Sequence, residues 1–421
     1  MFKKYFTFLS LLAVTIASSQ IKILFDATKV EMAGNADWVI DADLHNLYTN
    51  NPVNIGGNES NPQRIPTPLQ STITASTPET YWQGALSYWA IDCVRQGYTV
   101  ETLPWNGRIT YGDATNTQDL SNYKVFVVDE PNILFSAIEK NAIVNFVKFG
   151  GGLMMIADHT ISDRNNDGSD SLMIWNDLMN TNTVQPNPFG ISFDAVNISE
   201  TTSAVANLST NQILHGPALP ATCSVCGNVT QAKWSNGTTM TLNTTANSSA
   251  TGLIFKSGSS TTGTANVMCA SATYQAGKVV AVGDSSITDD GTGDPNDVLY
   301  DGYITDAAGN HQKLLMNATV WLATNSTMNT TSFETLKPSI AIAPNPIVNK
   351  ELKLYIKNTT PLVSEFSIYD AMGRQVKQVQ LRENTSTEFQ TINCEELQPG
   401  LYFGELQTET FSKIISFCVL N

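Results

Sequence analysis

The chain has 421 residues, of which 38 are Asp or Glu and 23 are Lys or Arg, so its formal net charge is −15 at pH 7. A nucleic-acid groove requires a basic stripe, and this acidic balance argues against one. An acidic surface instead suits solubility outside the cell and the binding of divalent cations.

Residues 1–20 have the pattern of a secretory signal peptide. Lys3 and Lys4 supply the positive charge, residues 6–16 form the apolar core, and small residues follow at 17–19. A membrane anchor, the alternative, requires about 20 apolar residues, and this stretch is too short. Because no later segment reaches about 18 uninterrupted apolar residues, we expect a soluble, exported mature protein without a transmembrane segment.

Four short apolar runs each end on an acid. The runs are 23–26, 125–130, 153–159 and 279–284, and their acids are Asp26, Asp129 with Glu130, Asp158 beside His159, and Asp284. Continuous apolar runs of this length are typical of strands buried on both faces of a parallel sheet. Ligands bind outside the carboxyl ends of the strands in open α/β sheets, so the sequence predicts a carboxylate-rich pocket there.

Helical patterns alternate with these strands. The spacing of apolar residues predicts helices over 30–48, 80–96, 136–149 and 312–323. Between 183 and 275 the sequence changes to Thr, Ser, Asn and Gly with short alternating runs, which predicts a β-rich insertion packed against the sheet. The predicted fold class is therefore α/β, with a mostly parallel sheet and a β-rich insertion.

The loop after the third acid-ended strand has the spacing of a calcium-binding loop. Residues with oxygen-bearing side chains occupy every second position, and a glycine follows them. Calcium-binding loops use this glycine for their sharp turn. The predicted ligands are Asp163, Asn165, Asp167 and Asp170. An EF-hand also needs a glutamate at its twelfth position, where Ile174 stands, so the segment is calcium-loop-like only. The alternative is a solvated turn, because Asn, Asp and Gly stabilise turns without a metal.

The strand-end acids are expected to form one site. The catalytic candidates are Asp158, His159, Asp284 and Glu130. Beyond the calcium-like loop, the cation-binding candidates are Asp26, Asp129 and Asp289, and the substrate-binding candidates are Asn35, Asp37, Trp105 and Ser285. Clustered carboxylates repel one another, so a cation or a shared proton should stabilise them. A nucleophilic role for Ser285 is the weaker alternative, because no Asp-x-x-His partner follows it.

The six cysteines bear on the cellular compartment. Only Cys223 and Cys226 are close in sequence, and a zinc ribbon would need a second close pair. One or two disulfides are the expected use of cysteines in an exported protein, with Cys223–Cys226 as the obvious candidate.

Two segments, FVKFGGGLMMI at 146–156 and GKVVAVGD at 277–284, are similar to glutamine-amidotransferase-like domains of the non-enzymic or repurposed kind. The resemblance covers residues 21–323 in pattern and implies a flavodoxin-like, doubly wound sheet. That family's nucleophile is a cysteine in a Gly-x-Cys-x-Gly turn, whereas the corresponding strand here ends on Ala157, Asp158 and His159. Glutamine hydrolysis by the family mechanism is therefore not expected.

The C-terminal region carries three motifs after a linker-like stretch at 324–338. They are PNP at 344–346, YDAMGR at 369–374 and LQPGLY at 397–402. In this order they resemble the C-terminal sorting domain of type IX secretion cargo in Bacteroidetes. The resemblance implies that residues 339–421 form a small all-β sandwich read by the type IX secretion machinery, with the protein released or held at the cell surface. A β-rich carbohydrate-binding appendage is the alternative.

The sequence thus predicts an exported, metal-supported hydrolase that acts on an extracellular glycan or an ester-containing polymer. A divalent cation, with Ca²⁺ favoured by the loop spacing, is the expected cofactor. Paired carboxylates suffice for glycoside hydrolysis and a metal-activated water suits phosphoester cleavage, so the reaction class stays open. The alternative is a non-catalytic, calcium-stabilised protein that binds polysaccharide or organises a surface complex.

Overall fold

The computed structural model describes residues 20–33, 36–41, 69–218, 223–291, 301–324, 339–347, 349–357, 364–381, 390–408 and 412–420. The chain divides into two compact units after Ser326, within the predicted linker. The predicted signal peptide up to residue 19 and linker residues 325–338 lie outside the described residues.

The first unit is built from strands and helices. Its strands are β1 (Lys22–Asp26), β2 (Met32–Ala33), β3 (Ala36–Asp37), β4 (Thr99–Leu103), β5 (Val125–Asp129), β6 (Gly152–Ile156), β7 (Ile191–Phe193), β8 (Ile198–Thr202), β9 (Ala232–Gly237), β10 (Met240–Leu242), β11 (Thr251–Phe255), β12 (Val267–Tyr274) and β13 (Gly277–Val282). Its α-helices are α1 (Ser87–Arg95), α2 (Ala137–Lys148), α3 (Ser171–Thr181), α4 (Gln212–His215) and α5 (His311–Ala323). No helix in the described part of the chain is long and apolar enough to cross a membrane.

Parallel strands form the centre of the first unit. Their order is β4-β1-β5-β6-β13, and each neighbouring pair is parallel. Numbered along the chain, these strands follow the order 2-1-3-4-5, which also occurs in flavodoxin-like sheets. Every residue of β5, β6 and β13 is buried, as expected for apolar strands covered on both faces. Because the strands are parallel, their acid-bearing carboxyl ends lie at one edge of the sheet.

Antiparallel strands extend this sheet beyond β13. The order continues as β12-β10-β7, and β11 also pairs with β12. Only Gln275 and Ala276 separate β12 from β13, and so short a connection requires antiparallel pairing. Gln275 has a φ of +52°, which suits a two-residue hairpin turn. Strands of the predicted insertion therefore lengthen the central sheet, whereas the sequence pattern predicts packing against it.

Helix α5 packs against α1 and α4, and α2 contacts α3. In the contact of α1 with α5, Trp89 Nε1 donates to Thr319 Oγ1 at 3.1 Å. Helix α2 is joined to α3 by an ion pair at 2.8 Å between Lys140 and Asp177. A capping box at Ser136 satisfies the first backbone donors of α2. Helices α1, α2 and α5 correspond to the helices predicted over 80–96, 136–149 and 312–323.

The helix predicted over 30–48 is wrong where the structure describes it. Strands β2 and β3 form an antiparallel hairpin there, with Met32 opposite Asp37. The sequence between these strands is Gly34-Asn35, a pair that favours two-residue hairpin turns. The helical spacing of Trp38 with its apolar neighbours was the misleading signal, because alternation and helical periodicity are hard to separate over so few residues.

The second unit contains β strands only, within its described residues. They are β14 (Ser339–Ala343), β15 (Glu351–Lys357), β16 (Ser364–Asp370), β17 (Gln375–Leu381), β18 (Gln390–Asn393), β19 (Gly400–Thr408) and β20 (Ser412–Val419). Two antiparallel sheets, β14-β15-β18 and β17-β16-β19-β20, share one apolar core. Leu352 and Leu354 come from the first sheet, and Phe366 and Phe417 from the second. An α/β unit followed by an all-β unit agrees with the predicted fold classes.

The cysteines follow the expectation for an exported chain. Cys223 and Cys226 form the predicted disulfide. Burial raises the pKa of the Cys93 thiol well above its usual value and that of Cys269 to about 12. These two side chains therefore stay protonated and pack as small apolar groups.

Gly277→Ala is expected to destabilise the first unit by about 2–3 kcal/mol. A Cβ at position 277 would overlap the carbonyl oxygens of Val147 and Gly151, where β13 passes the end of α2. Gly263→Ala is the matched control, because its Cβ would meet Ser260 O at 3.6 Å, an ordinary contact. Urea denaturation measures both variants, and equal stabilities would contradict the close approach at β13.

Candidate functional site

Glu130 lies at the carboxyl edge of the sheet, directly after β5. Its side chain is fully buried, and its φ of +43° is a left-handed conformation that non-glycine residues rarely adopt. Oε2 accepts hydrogen bonds from Trp38 Nε1 at 2.8 Å and from Ser285 Oγ at 2.7 Å. Oε1 accepts from Arg164 Nε at 2.9 Å. Three segments distant in sequence therefore meet at one carboxylate.

Arg164 supplies positive charge to this cluster. Its Nη2 donates to Asp158 Oδ2 at 2.7 Å, and its backbone N–H donates to Asn132 Oδ1 at 3.1 Å. Asn132 is itself held, because its amide group donates to the carbonyls of Val30 and Glu130. The carboxylates of Glu130 and Asp158 raise the pKa of Arg164, so the guanidinium stays charged.

Two more aspartates from strand ends join the cluster. Asp129 Oδ2 accepts from Thr288 Oγ1 at 2.8 Å. Asp284 accepts from the backbone N–H of Ser235 at 2.5 Å and from that of Ser286 at 2.9 Å. Both carboxyl groups are buried, and both hydrogen-bond to the turn that follows β13.

Burial changes the protonation of these acids. Loss of solvation, with repulsion from Glu130, raises the pKa of Asp129 and of Asp158 well above the usual value. Loss of solvation likewise raises the pKa of Asp284 to about 7. A carboxyl group with such a pKa can both hold and release a proton near neutral pH.

Two oxygens of the cluster lack a donor. Asp129 Oδ1 and Asp158 Oδ1 are buried and have no hydrogen-bond partner among the described residues. An unsatisfied buried polar atom costs about 1–3 kcal/mol, which a proton or a bound cation would offset. In the described ranges, no three Asp, Glu, His or Cys side chains are arranged to hold a metal ion.

Asp26 lies at the predicted edge but has Glu31 as its partner. Asp26 Oδ1 accepts from the backbone N–H of Thr28 at 3.1 Å, and Glu31 Oε2 accepts from that of Lys29 at 2.8 Å. Asp26 Oδ2 and Glu31 Oε1 are buried and have no hydrogen-bond partner among the described residues. Burial raises the pKa of Asp26 to about 6, and burial with the Asp26 charge raises that of Glu31 well above its usual value.

The predicted calcium ligands satisfy one another and the backbone of their own loop. Asp163 accepts from two backbone N–H groups at 3.1 and 2.7 Å. Asp167 accepts from a backbone N–H at 2.9 Å and from Asn165 Nδ2 at 3.0 Å. Asp170 caps α3 by accepting from Met173 N at 3.2 Å. These bonds are those of the turn alternative, and calcium binding at the loop stays a prediction.

His159 and Asp289 border the cluster. His159 Nε2 is 3.7 Å from Asp158 Oδ2, and its Nδ1 is 2.6 Å from the next backbone carbonyl. Asp289 is buried, and its Oδ1 accepts from the backbone N–H of Gly291 at 2.8 Å. Its charge also contributes to the raised pKa of Asp129.

The structure brings only some of the predicted substrate-binding residues to the cluster. Ser285 lies inside the cluster, and Asp37 is buried on β3. Trp105 follows β4, an edge strand that β1 separates from β5. Asn35 lies outside the described residues.

Three partners of the cluster were missed from the sequence. They are Arg164, Trp38 and Thr288. Arg164 is a single basic residue within the acidic loop, and this charge reversal is a signal that could have identified it. The sequence around Trp38 and Thr288 has no comparable signal. Each contributes one N–H or O–H donor to an acid at the end of a distant strand.

Residues 341–419 match the family described as the secretion system C-terminal sorting domain. This match supports a cargo of type IX secretion that is exported or held at the cell surface. It also indicates an interaction of the chain with the secretion machinery. No curated protein sequence matches the chain.

Several solved structures are similar to parts of the chain at low identity. The structure titled "mmIFT52 N-terminal domain" is 14% identical, with 72% of this chain and 98% of that chain covered and a TM-score of 0.39. A Cellulomonas fimi endo-beta-1,4-mannanase double mutant is 14% identical, with 25% and 26% covered and a TM-score of 0.16. An engineered protein is 12% identical, with 25% and 27% covered and a TM-score of 0.17. Scores this low support no inference about function.

Asp284→Asn is expected to flatten the pH dependence of stability. The folded state holds a proton on Asp284 up to about pH 7, whereas the unfolded state releases it near 3.8. The free energy of unfolding therefore falls as pH rises through this window, by at most about 4 kcal/mol from this group. Urea denaturation between pH 4.5 and 8 measures the slope. Asp113→Asn is the control, because the pKa of Asp113 is lowered and lies outside the window. Parallel curves for Asp284→Asn and the wild type would contradict the assignment.

Arg164→Gln is expected to destabilise the first unit by about 3–5 kcal/mol, because it leaves two buried carboxylates without their cation. The loss should be larger at pH 8 than at pH 5, where a carboxyl group can take up a proton instead. Arg108→Gln is the control, since the pair of Arg108 with Asp113 is 2.9 Å long but exposed. Thermal unfolding at both pH values measures the difference. An Arg164→Gln loss no larger than the control would contradict the structural role of the ion pairs.

Proposed function

We propose that the first unit is an exported hydrolase whose reactive centre is the carboxylate cluster around Glu130. Its substrate would be an extracellular glycan or an ester-containing polymer. The observation that carries the proposal is the convergence of Asp129, Glu130, Asp158 and Asp284, all buried, at the carboxyl ends of three adjacent parallel strands. Open α/β sheets bind their ligands at this edge.

The stability of the fold does not account for such a cluster. Replacing a buried ion pair by apolar side chains is often neutral or stabilising, so carboxylates in this number are costly. Buried acids with displaced pKa values occur preferentially at functional sites. The positive φ of Glu130 supports the same conclusion, because strained backbone is concentrated at such sites.

The arrangement suits acid–base chemistry. Glu130 is ion-paired with Arg164 and accepts hydrogen bonds on both oxygens. Asp284, with its pKa of about 7, can deliver or accept a proton at neutral pH. Two carboxyl groups whose environments differ in this way are suited to separate acid and base roles.

A divalent cation remains part of the proposal. The donor-free oxygens of Asp129 and Asp158 would hold it, and Ca²⁺ prefers carboxylate oxygens. The fit is partial, because within the described residues no third ligating side chain joins them. When bound, such a cation would offset carboxylate repulsion and polarise a substrate oxygen.

The fold supports assigning the first unit to the glutamine-amidotransferase-like, doubly wound class. The order 2-1-3-4-5 of the parallel strands supports this assignment, because it also occurs in flavodoxin-like, doubly wound sheets. In this class the unit would be a repurposed member, because Asp158 and His159 stand where the family carries its cysteine turn.

A specific observation favours non-catalytic binding of polysaccharide as the second candidate. Both oxygens of Glu130 are occupied by protein donors, and the calcium-like loop is satisfied by its own backbone. Acids whose oxygens are already occupied by protein donors can support a binding function without taking part in a reaction.

The deciding experiment incubates the full chain with glycans, esters and phosphoesters, with Ca²⁺, Mg²⁺ or Zn²⁺ and with a chelator. Asp284→Asn is expected to lower kcat at least about 100-fold with polymer binding retained, and Asp113→Asn should leave turnover unchanged. Loss of turnover on chelation would assign the cation a role in the reaction. No hydrolysis on the whole panel, with binding retained, would establish the binding function instead.

A further inference from the structure

Ser285 and Glu130 form a buried hydroxyl–carboxylate pair. Ser285 Oγ donates to Glu130 Oε2 at 2.7 Å, and the two residues are 1% and 0% exposed. Ser285 stands directly after Asp284, in the turn that leaves β13. The hydroxyl proton of Ser285 therefore points at the Glu130 carboxylate, and the lone pairs of Oγ point away from that carboxylate.

Two further donors hold the Glu130 carboxylate in place. Arg164 Nε donates to Oε1 at 2.9 Å, and Trp38 Nε1 donates to Oε2 at 2.8 Å. A nucleophile, a base within hydrogen-bond reach, and a third group that orients the base form the general pattern of covalent catalysis. The sequence offers no Asp-x-x-His partner for Ser285, and the structure provides a glutamate in that place.

We propose that Ser285 is the nucleophile of the proposed hydrolase, that Glu130 is its general base, and that the substrate is an acyl ester. The inference rests on the proposed function and narrows it. A serine hydroxyl with a carboxylate base attacks an acyl carbon, whereas glycoside hydrolysis uses a carboxylate nucleophile or a carboxylate-activated water. Among acyl compounds an ester fits best, because an alcohol leaves more readily than an amine.

The reaction balances in two stages. In the first, the Oγ–H bond of Ser285 breaks and its proton moves to Glu130 Oε2 as Oγ bonds to the acyl carbon. The ester C–O bond then breaks, and the departing alkoxide takes the proton from Glu130. In the second, a water molecule gives a proton to Glu130 and attacks the acyl carbon, and Ser285 Oγ leaves with that proton. The products are a carboxylic acid and an alcohol.

The test treats the full chain with a fluorophosphonate and with p-nitrophenyl acetate. Intact-mass and peptide mapping should find one phosphonyl adduct on Ser285, and ester hydrolysis should show an initial burst. Ser285→Ala should abolish both, and Glu130→Gln should slow hydrolysis at least about 100-fold. Ser260→Ala is the control, because its hydroxyl is exposed and pairs with Thr262 Oγ1 at 3.1 Å.

The outcomes separate this inference from the proposed function. Ester hydrolysis without an adduct on Ser285, or turnover retained by Ser285→Ala, would overturn the inference and leave the hydrolase standing. Hydrolysis of glycans alone would do the same. Failure on every substrate class would end the proposed function together with the inference. The adduct is mapped on the wild-type chain, so the test does not depend on the folding of any variant.

Discussion

The candidate site depends on the ion pairs of Arg164. One guanidinium contacts Glu130 at 2.9 Å and Asp158 at 2.7 Å, and these carboxylates follow the neighbouring strands β5 and β6. Two like charges 4 Å apart repel by about 4 kcal/mol at an effective dielectric constant of 20. Without the cation, one carboxylate would take up a proton or the loop after β6 would move. The Arg164 side chain therefore helps to hold that loop, together with the hydrogen bonds that the Arg164 backbone N–H and Asn165 Nδ2 make to Asn132.

The sheet explains why the acids meet. Parallel strands all present their carboxyl ends at one edge, so an acid after β5, β6 and β13 is brought into one region whatever the sequence separation. Burial then raises the pKa of Asp129, Asp158 and Asp284, and hydrogen bonds from the turn after β13 hold two of them. A site with stored charge repulsion is suited to chemistry in which a proton or a positive charge arrives.

The sorting domain and the carboxylate cluster lie in different units of the chain. The sorting-domain match covers 341–419, where two antiparallel sheets share an apolar core. The carboxylate cluster, and the disulfide of Cys223 with Cys226, belong to the first unit. A disulfide is consistent with an oxidising environment outside the cell.

Local patterns in the sequence determined the strands that end on acids, helices α1, α2 and α5, and the sorting unit. Apolar runs ending on Asp129 or Asp284 specify buried strands by themselves, and Ser136 begins α2 through a capping box that lies within four residues. Only the tertiary structure decided which groups pair. Ser285 reaches Glu130 across 155 residues, and the charge of Asp26 raises the pKa of Glu31 beside the same strand. Such pairing depends on strand order and on the direction of each side chain, which alternates from one residue to the next and has no counterpart in local sequence.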